Sequence, residues 1–268
     1  MELLCPICGE PLCKNEKVYR CPTGHCFDIA RQGHVNLLPV QLKRSLHPGD
    51  TVQQVMGRRT FLDGGFYAPI LEALCQLAGK YHCTGPILDV GCGEGYYSAH
   101  LAQKLQAELV GLDISKEAVR YAAGRYKNAT WLCASAAHLP IKAQSVGLIT
   151  SLFALTMPEE FRRVLRPDGA FIQVLAAPDH LLGLKSIIYP ALLHKEKEIT
   201  PEEPGFVLRE SVPVKFTFTV EDQQVQNLLS MTPHVYRIGK EGAERLRATK
   251  TLTDTASCVL NLYELKEQ

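Results

Sequence analysis

The sequence predicts a doubly wound α/β fold, a mostly parallel sheet with helices on its faces, carrying a small cysteine-rich module at its N-terminus. Three observations lead there. The stretch Pro86-Ile-Leu-Asp-Val-Gly-Cys-Gly-Glu-Gly-Tyr-Tyr-Ser98 places a short buried strand (Ile87, Leu88, Val90) before three alternating glycines. A helical run from Ser98 to Leu105 follows. A second apolar strand, Glu108-Leu-Val-Gly-Leu-Asp113, ends in an acid about 20 residues past the loop, where a ribose-binding carboxylate is expected. At the start of the chain, Cys5-Pro-Ile-Cys8 and Cys21-Pro-Thr-Gly-His25 form two half-sites separated by 12 residues.

Taken in order, residues 1–38 read as a metal module. Cys5, Cys8 and Cys21 supply thiolates at a spacing that suits tetrahedral zinc, and the fourth position falls to His25 or to Cys26 beside it. Cys13 reads as a free thiol. A module this short has little core of its own, so the metal is expected to supply much of its folding free energy. Residues 39–60 read as a linker and helix. Pro39, Pro48 and Gly49 break periodicity, while Lys43, Arg44, Arg58 and Arg59 face only Asp50 as an acid, an excess suited to phosphate.

Residues 61–268 carry the α/β domain, which is expected to have a core separate from the metal module. Helices are expected over Val52–Leu62 and Pro69–Leu77, the second with Ile70, Leu74 and Leu77 on one face. Ser115 is an N-cap for the helix after Asp113. Strands follow at Thr130–Ala134, Val146–Phe153 and Ala170–Leu175, with a helix at Pro158–Leu165 and a turn at Arg166–Gly169. Beyond residue 200, Lys215–Thr219 and Ser257–Tyr263 read as strands around a helix from Gln223 to Met231.

Composition narrows the class. At 268 residues with 46% hydrophobic and 21% charged side chains, the chain can bury a full core. No run approaches the ~18 apolar residues of a membrane span, and the N-terminus has no secretory pattern. We therefore expect a cytoplasmic, reducing setting in which the crowded cysteines bind metal and do not form disulfides. Net charge is +1, so any nucleic-acid site must be a local patch.

The glycine pattern bears on the ligand class, with a NAD-type site or a plain structural turn as the alternatives. It is Gly-x-Gly-x-Gly, with Asp89 two residues ahead of Gly91. A carboxylate there suits a cationic ligand, not a pyrophosphate. The stretch resembles the first motif of class I S-adenosylmethionine (SAM) methyltransferases. That likeness puts the cofactor against Asp89, Gly91, Cys92, Gly93, Glu94, Gly95 and Tyr96, its ribose on Asp113, and its adenine near Ser135, at the start of the segment to Leu139.

The metal frame followed by Gly33-His-Val-Asn-Leu-Leu-Pro-Val-Gln41, together with the Leu88–Tyr97 loop, resembles one family nearly end to end: the zinc-containing 23S ribosomal RNA guanine-N1 methyltransferases of bacteria. Lys43-Arg44, Pro48-Gly49-Asp50, Arg58-Arg59, Phe61-Leu62-Asp63, Leu139-Pro140, Pro178 with His180-Leu181 and Met231-Thr-Pro233 belong to the same likeness. The resemblance implies one zinc per chain on Cys5, Cys8, Cys21 and His25, cofactor contacts at Tyr67, Cys92, Gly93 and His180, and a homodimer gripping a hairpin of 23S rRNA. The target it implies is guanine 745, with guanine 748 as the alternative. Two features bear on the chemistry. Phe153-Ala-Leu155 stands where relatives carry Tyr-Ala-Pro, at a position bordering the target base. No Asn-Pro-Pro-Tyr-type motif or strand-end Pro-Cys is present there, which argues against exocyclic amine or cytosine C5 methylation. Asp179 or an acid further on is a candidate for taking the guanine N1 proton. The rival readings are a small-molecule SAM methyltransferase with zinc as scaffold, and an RNA-binding module without catalysis.

Overall fold

The computed structural model describes residues 1–42, 48–192 and 198–266, so Lys43 and Arg44 lie outside the described residues. The chain begins with a three-stranded antiparallel sheet of β1 (Cys13–Asn15), β2 (Val18–Arg20) and β3 (Cys26–Asp28). The next strand, β4 (Val35–Asn36), leaves this small sheet for the main one. Two helices follow. In α1 (Val52–Asp63), Thr51 and Gln54 form a reciprocal capping box, and α2 (Ala68–Lys80) has Pro69 in its first turn.

The central layer alternates strands and helices: β5 (Ile87–Val90), α3 (Tyr96–Leu105), β6 (Leu109–Asp113), α4 (Lys116–Arg125), β7 (Thr130–Cys133), β8 (Val146–Leu152), α5 (Pro158–Val164) and β9 (Leu165–Ala176). The Ser115 side chain accepts a hydrogen bond from the Ala118 amide and so caps α4. The chain closes with α6 (Leu182–Ile188), β10 (Phe206–Glu221), α7 (Gln223–Ser230), α8 (Lys240–Ala248) and β11 (Thr251–Leu265). The eight strands lie in the order β10-β11-β9-β8-β5-β6-β7-β4. Pairs from β4 through β9 are parallel, and β11 inserts antiparallel between β9 and β10. This is the class I methyltransferase arrangement, and β5 with β8 forms the point where strand order reverses.

The two faces of the sheet carry different cores. Ile87, Leu109, Leu148, Ile172 and Leu260 pack with Phe61, Ile70, Leu74, Leu101 and Val119 from the helices. Leu88, Val90, Val110, Leu112, Ile149 and Phe171 face the other way, where they meet Phe161 together with Leu3, Leu12, Val35 and Leu37 of the N-terminal module. The expected separation of cores is therefore not found. A module too short to bury its own apolar residues uses the sheet for that purpose, and its backbone joins too: Val35 pairs with Leu132, and the Leu3 backbone bridges to Ile141.

Three local readings also change. The Arg166–Gly169 turn lies inside β9, as an irregularity between the Val146–Leu165 and Leu148–Ala170 pairs. The alternation at Lys215–Thr219 is part of a 16-residue strand. The short helices α6 and α8 were not expected. Among the described residues, no helix is long and apolar enough to cross a membrane.

Candidate active site and metal centre

The glycine loop follows β5 at the carboxyl end of the sheet and opens α3. Gly91 has φ +82°, and a Cβ placed there would lie 2.5 Å from the Cβ of Ala154, so only glycine fits. Gly93 and Gly95 are also left-handed. The loop is fastened to the next strand by Asp113. Its Oδ2 accepts from the Gly93 amide at 2.9 Å and its Oδ1 from the Ser115 amide at 2.8 Å. Burial raises the pKa of Asp113, and the two amides and Arg58 oppose that shift. Asp89 is almost fully buried and accepts from Thr150 Oγ1 at 2.7 Å. Burial pushes its pKa up to about 6, with Thr150 and Ser98 opposing. Glu94, also raised by burial, accepts from the Tyr96 amide at 3.2 Å and so satisfies a donor at the start of α3. Burial and the surrounding carboxylates hold the Cys92 thiol well above its usual pKa, which leaves it uncharged.

These residues open onto a cleft of about 2320 Å³. Every residue expected to touch the cofactor except Gly95 lines it: Tyr67, Asp89, Gly91, Cys92, Gly93, Glu94, Tyr96, Asp113, Ser135 and His180. Gly95 sits just behind, against the Trp131 ring. Ser135 Oγ accepts from the Ala137 amide at 3.3 Å. Tyr67 is buried among Phe61, Phe216 and Phe218, with its ring centroid 6.3 Å from that of His180. The Ser257 amide donates to His180 Nδ1 at 3.1 Å, which puts the ring proton of the neutral imidazole on Nε2. Asp179 pairs with Lys215 at 2.7 Å, and that partner holds its carboxyl below the usual range, making it a weak proton acceptor.

One observation suits this cleft to a ligand with a hydrogen-bond acceptor. Tyr97 lines the cleft, and its buried hydroxyl has no hydrogen-bond partner among the described residues, so a ligand acceptor that reached it would relieve a buried polar group. Ala154 lies so close to Gly91 that no side chain would fit there.

Cys5, Cys8, Cys21 and His25 converge, with their ligand atoms all within 4.8 Å of one another. Cys8 Sγ lies 3.7 Å from Cys21 Sγ, and His25 Nδ1 lies 3.3 Å from Cys21 Sγ and 3.6 Å from Cys5 Sγ. A tetrahedron with metal–sulfur bonds of ~2.3 Å has sulfur–sulfur edges of about 3.8 Å, so the donor set and its spacing fit zinc. Cys26 points elsewhere, donating to the Gly24 carbonyl, and neither Cys26 nor Cys13 joins the group.

The basic residues divide. Arg58 does not point away into solvent. It pairs with Asp50 at 2.9 Å and lies over Gly93, at the cofactor loop. Arg59 pairs at 3.6 Å with Asp63, which also binds Arg125 at 2.6 Å. The segment around Asp50 is itself tied down, because Ser115 Oγ donates to the Asp50 carbonyl at 2.8 Å. The Ser115–Asp50 and Arg125–Asp63 links join residues 65 and 62 positions apart, which no local reading of the sequence brings together.

A family model described as RlmA, N-terminal, a zinc ribbon, matches residues 3–46, and one described as Methyltransferase domain matches residues 87–169. The chain is 33% identical over 241 residues to the protein named 23S rRNA (guanine(748)-N(1))-methyltransferase from Streptomyces fradiae, a match covering 86% of this chain and 84% of that one. It is 38% identical over 206 residues to a putative 23S rRNA (guanine-N(1)-)-methyltransferase from Micromonospora griseorubida, covering 68% of each. A third relative, the putative 23S rRNA (guanine-N(1)-)-methyltransferase YxjB of Bacillus subtilis, is 28% identical over 262 residues, covering 92% of this chain and 91% of that one.

Proposed function

This chain belongs to the family of 23S rRNA (guanine-N1)-methyltransferases, and from that premise we propose that it methylates N1 of guanine 745 in a hairpin loop of domain II of 23S rRNA. The observation that carries the reading is the Gly91–Gly95 loop fastened to Asp113, opening onto one large cleft, in a chain that also holds a zinc-type donor set. Asp113 would accept hydrogen bonds from the ribose hydroxyls, Asp89 would face the cationic end of the cofactor, and Ser135 would border the adenine. Tyr67, Cys92, Gly93, Glu94, Tyr96 and His180 line the same cleft and would complete the cofactor site.

When bound, SAM supplies a methyl group already activated by its positive sulfur, so the protein's task is to hold donor and acceptor in line. Guanine N1 must also lose a proton. Asp179 is anionic but weakly basic beside Lys215, which makes it better suited to electrostatic support than to proton abstraction. The zinc module (1–38), the basic segment (39–60) and the methyltransferase domain (61–268) are a functional division. The first two grip RNA through Lys43, Arg44 and neighbouring groups, and the third carries the cofactor. We further propose a cytoplasmic homodimer, which sedimentation at micromolar concentration tests.

A second reading, guanine 748 as the target, is supported by the name of the Streptomyces fradiae relative. Reverse transcription of 23S rRNA from a deletion strain separates the two. Loss of a stop at 745 supports the first reading, loss at 748 the second, and unchanged stops at both refute the proposed function.

A further inference from the structure

Beyond His180 and Leu181 the cleft wall continues onto α6 and onto the 3-10 turn Pro233–Tyr236 that follows α7. Lys185 lines it from α6, and His234 and Arg237 line it from the turn and its end. Both supports are fixed. The Gly183 and Leu184 amides at the start of α6 donate to the buried Asp254 carboxylate at 3.0 and 2.7 Å, and Arg245 of α8 donates to the Ile187 carbonyl near its end at 2.7 Å. The turn is held to α1, where Gln54 Nε2 donates to the Tyr236 hydroxyl at 2.7 Å. Tyr189 joins the two supports: its hydroxyl is hydrogen-bonded to His234 Nδ1 at 2.8 Å, and its ring meets the imidazole edge-on with centroids 5.5 Å apart. Burial lowers the pKa of His234, and the charges of Lys185 and Arg237 lower it further, so the ring is neutral and lies within the field of both cations.

Charge is unevenly divided in this cleft. Its lining acids, Asp50, Asp89, Glu94, Asp113 and Asp179, lie elsewhere, and among the described residues the stretches 182–192 and 231–237 contribute two cations and no acid to the lining. Two like charges gathered on rigid supports repel each other, and a bound anion turns that cost into attraction. A phosphodiester fits the set: the arginine fork matches its paired oxygens, lysine adds a point charge, and the imidazole offers a ring nitrogen. Position favours a nucleotide over the cofactor's own carboxylate. Lys185 stands one helical turn past Leu181, its amide bonded to the Leu181 carbonyl at 3.0 Å, and the cleft of about 2320 Å³ exceeds the roughly 300–1,000 Å³ that a single small ligand needs. Resting on the reading of the chain as an RNA guanine methyltransferase, we propose that Lys185, Arg237 and the Tyr189-braced His234 form a phosphate site that holds the RNA backbone beside the target nucleotide. The methyltransferase domain then supplies a grip on RNA of its own, separate from the zinc module and the basic segment.

The test uses the full chain, the domain II hairpin RNA and a Lys185→Gln, Arg237→Gln double variant. Its affinity for the hairpin should fall at least about tenfold, and the plot of log affinity against log salt should become shallower by about 1.4, the counterion release of two contacts to a loop strand. SAM affinity should hold. Lys185→Arg with Arg237→Lys keeps both charges and should keep the slope, which separates charge from packing should the glutamine pair melt lower. Hairpins in which the phosphates flanking the target guanosine are replaced one at a time by neutral methylphosphonates locate the contact. One such replacement should weaken binding by the wild-type protein and cost the glutamine variant nothing more. An unchanged slope in the glutamine variant, or a wild-type protein indifferent to every replacement, overturns the site. A charge-keeping variant that loses the slope as fully as the glutamine pair overturns it too, as does a loss of SAM affinity equal to the loss for RNA, because the cations would then serve the cofactor. A wild-type protein that binds the hairpin through these two cations but transfers no methyl group to it refutes the proposed reaction and leaves the phosphate site standing.

Discussion

Stripping zinc from Cys5, Cys8, Cys21 and His25 is expected to destabilise the whole chain. Leu3, Leu12, Val35 and Leu37 of the metal module are all at most 7% exposed and pack against the sheet face formed by Leu88, Val110, Leu132 and Ile149. Fully burying a leucine- or valine-sized side chain is worth roughly 1.5–3 kcal/mol, so these four contribute about 6–12 kcal/mol across the shared core. That is comparable to the ~5–15 kcal/mol by which a typical domain is stable at all. A module that unfolds without its metal therefore removes cover that the methyltransferase sheet needs. Calorimetric melting of the holoprotein should show one cooperative transition, moved down by more than about 10 °C after chelation or in a Cys5→Ser, Cys8→Ser double variant. SAM binding near the melting point should be lost together with it. Two separate transitions, with the upper one and the SAM affinity untouched by chelation, would refute the reasoning and restore the picture of independent cores.

Other outcomes follow from the site. Asp113→Ala removes charge-assisted hydrogen bonds worth roughly 1.5–3 kcal/mol each and also unfastens Gly93, so calorimetry should show SAM binding weakened at least about tenfold; unchanged affinity would take Asp113 out of the site. Burial raises the pKa of Asp89 to about 6, and a cationic ligand favours its ionised form. SAM affinity should therefore be full above about pH 6 and fall as pH drops through it, approaching tenfold per unit, while Asp89→Asn should be weak and flat across the same range; equal wild-type affinity at about pH 5 and pH 8 would count against this role. Elemental analysis should find less than one zinc per chain in His25→Ala and a full complement in Cys26→Ser, and the reverse pattern would reassign the fourth ligand.

The parts of the fold that the sequence disclosed are those whose cause is local. A buried four-residue strand ending in glycines that need positive φ, as at Ile87–Gly95, has few solutions, and the Cys5–His25 spacing is set by one ion's geometry. What stayed hidden depends on distant partners. Pro213 argues against a strand, yet it sits within β10, which tolerates it as the outermost strand of the sheet. The helix α6 is only seven residues long, and α8 buries only Gly242 and Leu246, so neither shows a strong period. Arg58 read as a phosphate ligand because its neighbours in sequence are basic. Its neighbours in space are Asp50 and the cofactor loop. Phe153 was legible only as a departure from a pattern, because its exposure and its partner His180 belong to the folded cleft.

The pairing of β4 with β7 has one more consequence. Without the two residues Val35 and Asn36, and the further bond from the Leu37 amide to the Cys133 carbonyl, β7 would end the sheet with a row of unsatisfied amides and carbonyls beside the buried residues Trp131, Leu132 and Cys133. Such an uncovered border is a template on which another chain can add a strand. The opposite border is protected differently, by Pro213 and by charges such as Glu210, Lys215 and Glu221 along β10. The zinc-held segment thus acts as a selvedge, the finished margin that stops a fabric from running. Metal-depleted protein should be prone to self-association through the exposed flank of β7 as well as less stable.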